Sequence, residues 1–457
     1  MSGKVLALIM VVIAANTAHS ESWAGLYRQS NGSIIGIGEL HEFGPSEVLV
    51  DYRTGLAGPL FALPDGRTGV GRAIGDRSPP PARILERKNG RASLDGRTLT
   101  ALDVSGQTFQ VENGSVTLAG ELVRPGKQPK GVIILVHGSG DGPRRAYDIW
   151  TNFFLSRDWA VAVFDKRGSG SSTGDWHDAD FVTLAGDVRS ILKWTRGQRQ
   201  LAGLKIGLWG VSQAGWIIPQ LAAEGAVDFA IVQAGAIVPT DEFIGQTLES
   251  ELRAYGFPPD EIAKAQRYYA LDVAVSRGTQ PFAAIEKAYA EASAAGAEWL
   301  LKPPDPINSP NRRFMAVIAG FDSAPDWRKI HLPLLVLFGG KDHVVPVGPN
   351  RSRLESLLSE AGKTQVQIVT LENDNHLAML AKTGVRTEYA TLNRFDPVYF
   401  QTLTVFLDRM LGRARNPARV RRRTDSPWRA RDLVPACYSS APSDRSKCCF
   451  SSCSNSS

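Results

Sequence analysis

The stretch that most constrains the fold of this chain is residues 204–223, LKIGLWGVSQAGWIIPQLAA. It begins with an apolar run rich in strand formers, continues through a turn of small residues and ends in an Ala/Leu/Ile run of helical character. The pattern predicts a strand, a tight turn and a helix, with Ser212 at the apex of the turn. We call this segment the elbow. A serine at its apex presents its hydroxyl at the carboxyl edge of a sheet.

The turn of the elbow departs at one position from the G-x-S-x-G pattern that such turns follow. Ala214 stands where the last glycine is expected, and Gly215 comes one residue later. Because alanine is the smallest replacement for glycine, we expect the close packing of strand against helix to survive. The helix that begins at Gln213 directs free N–H groups toward the place where a negative oxygen would form.

Strand and helix patterns alternate from residue 113 onward, which is typical of a mostly parallel sheet covered on both faces. We therefore predict an α/β domain over residues 113–412. Its strand pattern is interrupted at residues 240–328, which are rich in Ala, Glu, Tyr and Lys at helical spacing. The interruption predicts a helical insertion that lies over the carboxyl edge of the sheet as a lid. The alternative is that these helices pack elsewhere on the domain.

Residues 21–112 have a different character, because short apolar or alternating runs are separated there by Asn-Gly and Asp-Gly pairs. Such pairs are the strongest local signal for hairpins. The sequence predicts a small antiparallel β domain ahead of the α/β domain. This region has no motif for chemistry, so substrate gating, partner binding and structural support all stay open as its role.

Both ends of the chain differ from its body. Residues 1–20 combine a positive start, an apolar run and an A-x-S site, which predicts a cleaved signal peptide and an exported, periplasmic or secreted protein. The alternative is a buried N-terminal strand or helix. Residues 413–457 are Arg-rich and then Ser/Cys-rich, so we expect a disordered tail. The N-terminal apolar run is shorter than the roughly 20 residues needed to span a bilayer, and no later segment is long and apolar enough to predict a transmembrane helix.

The net charge of +6 comes from the tail. Without residues 413–457, the chain has 42 basic and 43 acidic residues, a balance that argues against a nucleic-acid-binding surface. All four cysteines also lie in the tail, so a cysteine nucleophile in the body is excluded. A small-molecule substrate is the expected partner, and the oligomeric state is left open.

A serine hydroxyl needs a neighbouring base, and histidine is suited to that role near neutral pH. Of the seven histidines, His376 lies in a loop just past the last predicted strand, residues 365–371. A loop at that end of the sheet can reach the apex of the elbow. We therefore predict that His376 is the general base for Ser212, against the alternative of a structural loop histidine.

The histidine in turn needs a carboxylate to fix its tautomer. Asp342 follows the predicted strand at residues 332–338 and gives the chain order Ser, Asp, His that this type of sheet uses. Asp374 is the rival acid. For the oxyanion, the N–H of Gln213 and that of Ser139 are the predicted donors, with Gly140 as the alternative to Ser139. Ser139 lies in the HGSG turn at residues 137–140, which we call the oxyanion loop.

Five blocks carry a resemblance to a known family: HGSG at 137–140, FDKRGSGSSTG at 164–174, GVSQAG at 210–215, FGGKDHVVP at 338–346 and NH at 375–376. In this order they resemble the α/β-hydrolase fold, and most of all its exported serine-hydrolase branch related to dienelactone hydrolases and prolyl-oligopeptidase catalytic domains. The resemblance implies a catalytic triad of Ser212, Asp342 and His376, a two-N–H oxyanion hole, and hydrolysis without a metal or organic cofactor.

The reaction expected from these residues is cleavage of small or medium carboxylic esters through a covalent acyl-enzyme. A peptidase, a thioesterase or acyltransferase, and an inactive binding protein on the same fold are the alternatives. A metalloenzyme that uses His343 and His376 lacks a clustered ligand pattern. Four basic residues near the expected site could recognise an anionic substrate or could serve only as structural charges: Arg144, Arg145, Lys166 and Arg167.

Overall fold

The computed structural model describes residues 22–40, 46–300, 302–360 and 365–412. The predicted signal peptide and the predicted disordered tail lie outside these residues. The chain divides into two units at Gly412, and everything that follows concerns the first of them, Met1–Gly412.

Eight short antiparallel strands near the N-terminus close into a barrel, which confirms the predicted β domain. Closure comes from the first and last strands, where Tyr27 pairs with Ala101. The interior is filled by apolar side chains that include Ile35, Ile37 and Leu85, all fully buried. The strands are β1 (Gly25–Gln29), β2 (Ile34–Glu39), β3 (Glu47–Asp51), β4 (Ala57–Ala62), β5 (Thr68–Val70), β6 (Arg83–Lys88), β7 (Arg91–Leu94) and β8 (Arg97–Ala101).

The second sheet has eight strands in the order β16-β15-β14-β13-β11-β12-β10-β9. The six strands from β11 to β16 run parallel, and β10 and β9 add an antiparallel edge. The strands are β9 (Val104–Asn113), β10 (Val116–Pro125), β11 (Val132–Val136), β12 (Ala160–Phe164), β13 (Ile206–Val211), β14 (Phe229–Gln233), β15 (Leu334–Gly339) and β16 (Val366–Leu371). Strands β11 to β15 are buried along their whole length, as expected when both faces are covered.

Helices cover both faces of this sheet, as the alternating pattern predicts. Residues of α2, α3, α8 and α9 contribute to one core and residues of α1 and α10 to the other. The helices are α1 (Asp148–Ser156), α2 (Phe181–Arg196), α3 (Ala214–Ala223), α4 (Thr240–Ala254), α5 (Pro259–Ser276), α6 (Phe282–Ala294), α7 (Pro310–Ile318), α8 (Ala324–Trp327), α9 (Val347–Glu360) and α10 (Pro397–Met410). Helices α4 to α8 form the helical insertion. None of the helices in the described ranges has the length and apolarity needed to cross a bilayer.

The boundary placed at residues 112 and 113 from the sequence is wrong by about ten residues. Strand β9 pairs antiparallel with β10 along its whole length, from Asn113 opposite Val116 to Val104 opposite Pro125. It is therefore part of the large sheet. The Asn113-Gly114 pair that suggested a boundary is the turn of this hairpin, and Gly114 adopts a φ of 63° there. The barrel ends at Ala101.

Among the residues that the structure describes, the barrel contacts α1 and the segment before α10 of the α/β domain. Helix α1 packs across β2, where the Tyr52 hydroxyl donates to the carbonyl of Ile149 at 2.7 Å. The second contact is made by backbone hydrogen bonds to the segment before α10. The N–H of Ala57 donates to the carbonyl of Asn393 at 2.8 Å, and the N–H of Phe395 donates to the carbonyl of Gly55 at 2.9 Å.

Candidate active site

Ser212 lies between β13 and α3, at the apex that the sequence predicts. Its φ is 59°, a left-handed conformation that is uncommon for any residue but glycine. Its N–H donates to the carbonyl of Gln233 at 3.0 Å, and its carbonyl accepts from the N–H groups of Gly215 and Ala236 at 2.9 and 3.2 Å. These bonds to the neighbouring strand end hold the strained turn in place.

The departure from the G-x-S-x-G pattern has a steric explanation. A Cβ atom at Gly210 would lie 2.5 Å from the Cβ of Ala214, so a glycine at 210 makes room for the alanine. A Cβ atom at Gly215 would lie 2.4 Å from the carbonyl oxygen of Ala236. The close approach of α3 to the chain after β14 therefore depends on glycine at 215. This confirms the expectation that strand and helix still pack closely.

The two predicted partners of Ser212 meet each other. The Nδ1 atom of His376 lies 2.8 Å from Oδ2 of Asp342, and both side chains are buried. The other carboxylate oxygen of Asp342 accepts the N–H groups of Val344 and Val345 at 2.8 and 2.9 Å. Because both oxygens are bound, the carboxylate faces the imidazole in a fixed orientation. A carboxylate that accepts from Nδ1–H keeps that proton on Nδ1, so Nε2 is the nitrogen that can accept a proton.

The rival acid Asp374 makes no hydrogen bond to His376. It lies near Asp396, and the two carboxyl groups can share a hydrogen bond when Asp374 is protonated. Burial, together with the nearby carboxylate of Asp396, raises the pKa of Asp374 to about 8. A carboxyl group that is neutral near pH 7 is poorly suited to stabilise an imidazolium.

Ser212 and His376 follow strands that end at the same edge of the sheet. Between them lie the ends of β14 and β15, and a small cavity there is lined by Gln233, Ala234 and His376 together with residues of β15. Gln233 is also the residue whose carbonyl accepts the N–H of Ser212. The predicted nucleophile and base thus lie at the same edge of the sheet, with the ends of β14 and β15 between the strands that precede them.

The predicted oxyanion donors lie in the turns that follow two neighbouring strands, β11 and β13, which pair in parallel. Gln213 is almost fully buried and immediately precedes α3. Ser139 is exposed in the oxyanion loop after β11. The loop is anchored by the N–H of Gly138, which donates to the Tyr147 hydroxyl at 2.8 Å.

Lys166 joins these two elements, whereas the sequence singled it out only as one of four basic residues that could recognise an anionic substrate. Its Nζ donates at 3.0 Å to the carbonyl of Gly138, to that of Gly140 and to Oε1 of Gln213. The side chain is 2% exposed, and Nζ lies 5.0 Å from the centre of the Trp176 ring. Burial lowers the pKa of Lys166 to about 7. The only sequence signal for it was a lysine inside the FDKRGSGSSTG block.

The other basic residues near the site are bound to internal carboxylates. Arg144 pairs with Asp165, with a shortest separation of 2.7 Å, and Arg167 binds Asp187 through two bonds of 2.7 Å. Arg145 contacts Asp148 at 3.2 Å and is half exposed. Recognition of an anionic substrate by Arg144 or Arg167 would require these ion pairs to break. A structural role for both arginines is therefore favoured over substrate recognition.

Helix α4 lies against the loop that carries Asp342. The Thr247 hydroxyl donates to the carbonyl of Val344 at 2.7 Å, and the Ser250 hydroxyl is 2.9 Å from Nδ1 of His343. The Nε2 atom of His343 is 3.0 Å from the carbonyl of Thr383. His343 is thus engaged by two neighbouring segments. Within the described ranges, no cluster of three or more His, Cys, Asp and Glu residues has the arrangement of a metal site.

Several solved structures are similar to this chain. The esterase Pf2001 of Pyrococcus furiosus is 17% identical and covers 67% of this chain and 92% of its own, with a TM-score of 0.44. The alpha/beta hydrolase GrgF of Penicillium sp. sh18 is 19% identical and covers 68% and 100%, with a TM-score of 0.44. Est1E of Butyrivibrio proteoclasticus is 11% identical and covers 67% and 100%, with a TM-score of 0.40.

Among curated proteins, the chain is similar to an uncharacterized 31.7 kDa protein from the traX–finO intergenic region of Escherichia coli. The two are 23% identical over 255 residues, which are 55% of this chain and 82% of the relative. The model of the Alpha/beta hydrolase family matches residues 133–386, more than half of the chain and a span that includes the elbow, Asp342 and His376. The chain belongs to the Alpha/beta hydrolase family.

Proposed function

We propose that the protein is a serine hydrolase that cleaves carboxylic esters, with Ser212 as nucleophile, His376 as general base and Asp342 as the acid that orients His376. The observation that carries the proposal is the 2.8 Å hydrogen bond between Asp342 and His376 at the sheet edge where Ser212 is held at a φ of 59°. A strained serine at the same sheet edge as an imidazole with a fixed tautomer supports a role in acyl transfer.

In the first half of the reaction, His376 accepts the proton of the Ser212 hydroxyl through Nε2 while the oxygen attacks the ester carbonyl. Asp342 stabilises the imidazolium that forms and does not take the proton itself. The carbonyl oxygen becomes negative, and the N–H groups of Gln213 and Ser139 stabilise it. When the tetrahedral intermediate collapses, His376 returns the proton to the leaving alcohol.

In the second half, water attacks the acyl group on Ser212. His376 accepts a proton from the water, the same two N–H groups stabilise the second oxyanion, and the acid leaves as the serine recovers its proton. Every proton passes through one imidazole, so the reaction depends on Asp342 to keep Nε2 directed at the serine.

We also propose that the helical insertion serves as the lid of this site. Support comes from α4, which touches the acid-bearing segment through Thr247 and reaches the segment after His376 through an ion pair of Glu251 with Arg386 at 2.6 Å. Because α4 contacts the segment that carries Asp342 and the segment after His376, a movement of α4 would change the access of substrate to the site.

Fluorophosphonate labelling tests the nucleophile, because these probes react with activated serines. We expect the wild-type protein to be labelled and to hydrolyse p-nitrophenyl esters, and Ser212→Ala to lose both, with turnover falling by about 10⁴-fold or more. The matched control is Ser139→Ala, which removes another hydroxyl at the same edge and keeps its backbone N–H. Labelling that persists in S212A, or that disappears in S139A, would contradict the assignment.

A substrate panel decides between ester cleavage and its alternatives. Purified protein that lacks residues 413–457 is assayed on matched esters, thioesters and peptides of the same acyl group. We expect the ester to have the highest kcat/KM. A preference for the peptide or the thioester would make the protein a peptidase or a thioesterase with the same triad, and a wild type that is neither labelled nor active would be a binding protein.

Export remains a proposal that rests on the pattern of residues 1–20. N-terminal sequencing of protein recovered from outside the cytoplasm tests it. A mature chain that begins close to Glu21 is expected, and a chain that retains Met1 and stays in the cytoplasm would contradict export.

A further inference from the structure

Lys166 has an unusual set of partners for a buried ammonium group. It bonds to three neutral oxygens, the carbonyls of Gly138 and Gly140 and the side-chain oxygen of Gln213, each at 3.0 Å. An ammonium group has three N–H donors, and this arrangement uses all of them. The partners are separated from Lys166 by 28, 26 and 47 positions in the sequence. One side chain therefore fastens together two segments that the chain brings to the site independently.

We propose that Lys166 is the positioning residue that holds the two halves of the oxyanion hole at a fixed separation, an inference that rests on the proposed function. The carbonyls that it binds belong to the residues on either side of Ser139. Its third partner is the side chain of Gln213, whose backbone N–H is the other proposed donor. The same cation thus hydrogen-bonds to groups next to both proposed donors. Stabilisation of the oxyanion depends on the geometry of its donors. If the oxyanion loop were less firmly held, binding of the transition state would therefore be weakened more than binding of the substrate.

The charge of Lys166 makes this arrangement sensitive to pH. Burial lowers the pKa of Lys166 to about 7, and the carboxylates of Asp141 and Asp187 act in the opposite direction. The nearby charged or titratable groups are Asp141 after the oxyanion loop, Asp187 of α2 with its partner Arg167, His137 at the end of β11, and His177, which stacks on Trp176. The three hydrogen bonds of the ammonium go to other oxygens, while Asp141 accepts from Trp176 and Asp187 accepts from Arg167.

Loss of the proton from Lys166 has a defined structural consequence. A neutral amine has two N–H donors, so one of its three oxygen partners must lose its hydrogen bond and face a lone pair. The positive charge behind the oxyanion hole disappears in the same step. We therefore expect kcat/KM for an ester to decline on the alkaline side, with a midpoint near the pKa of Lys166.

The experiment measures pH–rate profiles of kcat and KM for three proteins: wild type, Lys166→Met and Gln213→Glu. In K166M we expect kcat to fall by about 10- to 100-fold at pH 6 with KM nearly unchanged, and the alkaline decline to vanish. In Q213E a carboxylate replaces the amide oxygen that faces Nζ. An opposite charge at that distance favours the ammonium, so the alkaline midpoint should rise by about one pH unit or more.

The alkaline midpoint of the Q213E profile distinguishes a positioning role of Lys166 from a merely structural one. This measurement still tests the inference if K166M fails to fold. An alkaline midpoint that does not move in Q213E overturns the inference, as does a folded K166M with the kcat and profile of the wild type. Fluorophosphonate labelling of the wild type is measured alongside. A protein that is labelled but insensitive to these changes refutes the role of Lys166 alone, whereas an unlabelled wild type refutes the proposed function.

Discussion

The two sides of the candidate site are supported in different ways. On the oxyanion side, the turns after β11 and β13 are joined by one buried cation, Lys166, from the turn that follows β12. On the base side, His376 is held by the carboxylate of Asp342 and lies in a long segment, residues 372–396, that we call the base loop. The residues that support the oxyanion side all follow strands of the large sheet. The support of the base loop extends to parts of the chain outside that sheet.

The barrel is one of those parts. The N–H of Phe395 donates to the carbonyl of Gly55, and the next residue, Asp396, donates its N–H to the carbonyl of Ala378 at 2.9 Å. Ala378 is two residues after His376. A chain of backbone hydrogen bonds thus leads from a turn of the barrel to the neighbourhood of the proposed base. The comparison favours structural support as the role of the barrel and indicates that damage to the barrel should impair the base side first.

The largest effect that tests this comparison is expected from Asp342→Asn. An amide at 342 can present its NH₂ group to Nδ1, which would leave the proton on Nε2 and disable the base. We expect kcat to fall by about 10³- to 10⁴-fold, measured on p-nitrophenyl esters with the folded state checked by its thermal transition. Asp374→Asn is the matched control and should retain activity. Equal losses in the two variants would show that the acid has been assigned to the wrong aspartate.

A smaller effect is expected at the contact between the barrel and the base loop. Gly55 has a φ of 74°, and a Cβ atom there would lie 1.9 Å from the carbonyl oxygen of Phe395. Gly55→Ala should therefore displace the base loop and lower kcat by about 3- to 10-fold per labelled active site, since small misplacements of a catalytic group reduce rates steeply.

The control for this variant is Gly66→Ala, in another turn of the same barrel. Gly66 has a φ of 81° and no atom within 4 Å of the position of a Cβ. Its substitution has the same backbone cost, about 1 to 2 kcal/mol, without a collision. We expect G66A to be less stable than the wild type and equally active per labelled site. If G55A matches G66A in kcat, the barrel does not support the base.

The smallest effect concerns stability and comes from Asp374. Because the folded protein raises the pKa of this acid to about 8, it binds the proton more tightly than the unfolded chain does. The resulting stabilisation is fully present below the pKa of the unfolded state, near 4, and is lost as pH rises toward 8. The Tm of the wild type should therefore fall between pH 5 and pH 8.

Asp374→Asn replaces the titrating group with a neutral one of the same shape. The Tm of this variant should fall by several degrees less than that of the wild type over the same pH range. Thermal unfolding followed by circular dichroism at pH 5 and pH 8 measures the difference. Parallel declines in the two proteins would show that Asp374 does not contribute to the pH dependence.

Much of the architecture could be predicted because it follows from local patterns. Helices α5 (Pro259–Ser276) and α6 (Phe282–Ala294) lie within residues 240–328, whose helical spacing predicts an insertion of helices there. The strand β9 was misassigned since a hairpin signal says that two strands pair and does not say which sheet they join. Closure of the barrel could not be predicted either, because it depends on the pairing of β1 with β8, which are far apart in the sequence.

For the site, the sequence by itself determined which residues we propose for the chemistry: a serine in a tight turn, followed along the chain by an aspartate and a histidine after strand ends. These features are local, since each depends on a few neighbouring residues. Only the tertiary structure decided that Asp342 binds His376 while Asp374 is buried beside another acid, and that Lys166 joins the oxyanion loop to Gln213. The charge state and partner of a buried group are set by atoms from distant parts of the chain, and no local pattern encodes them.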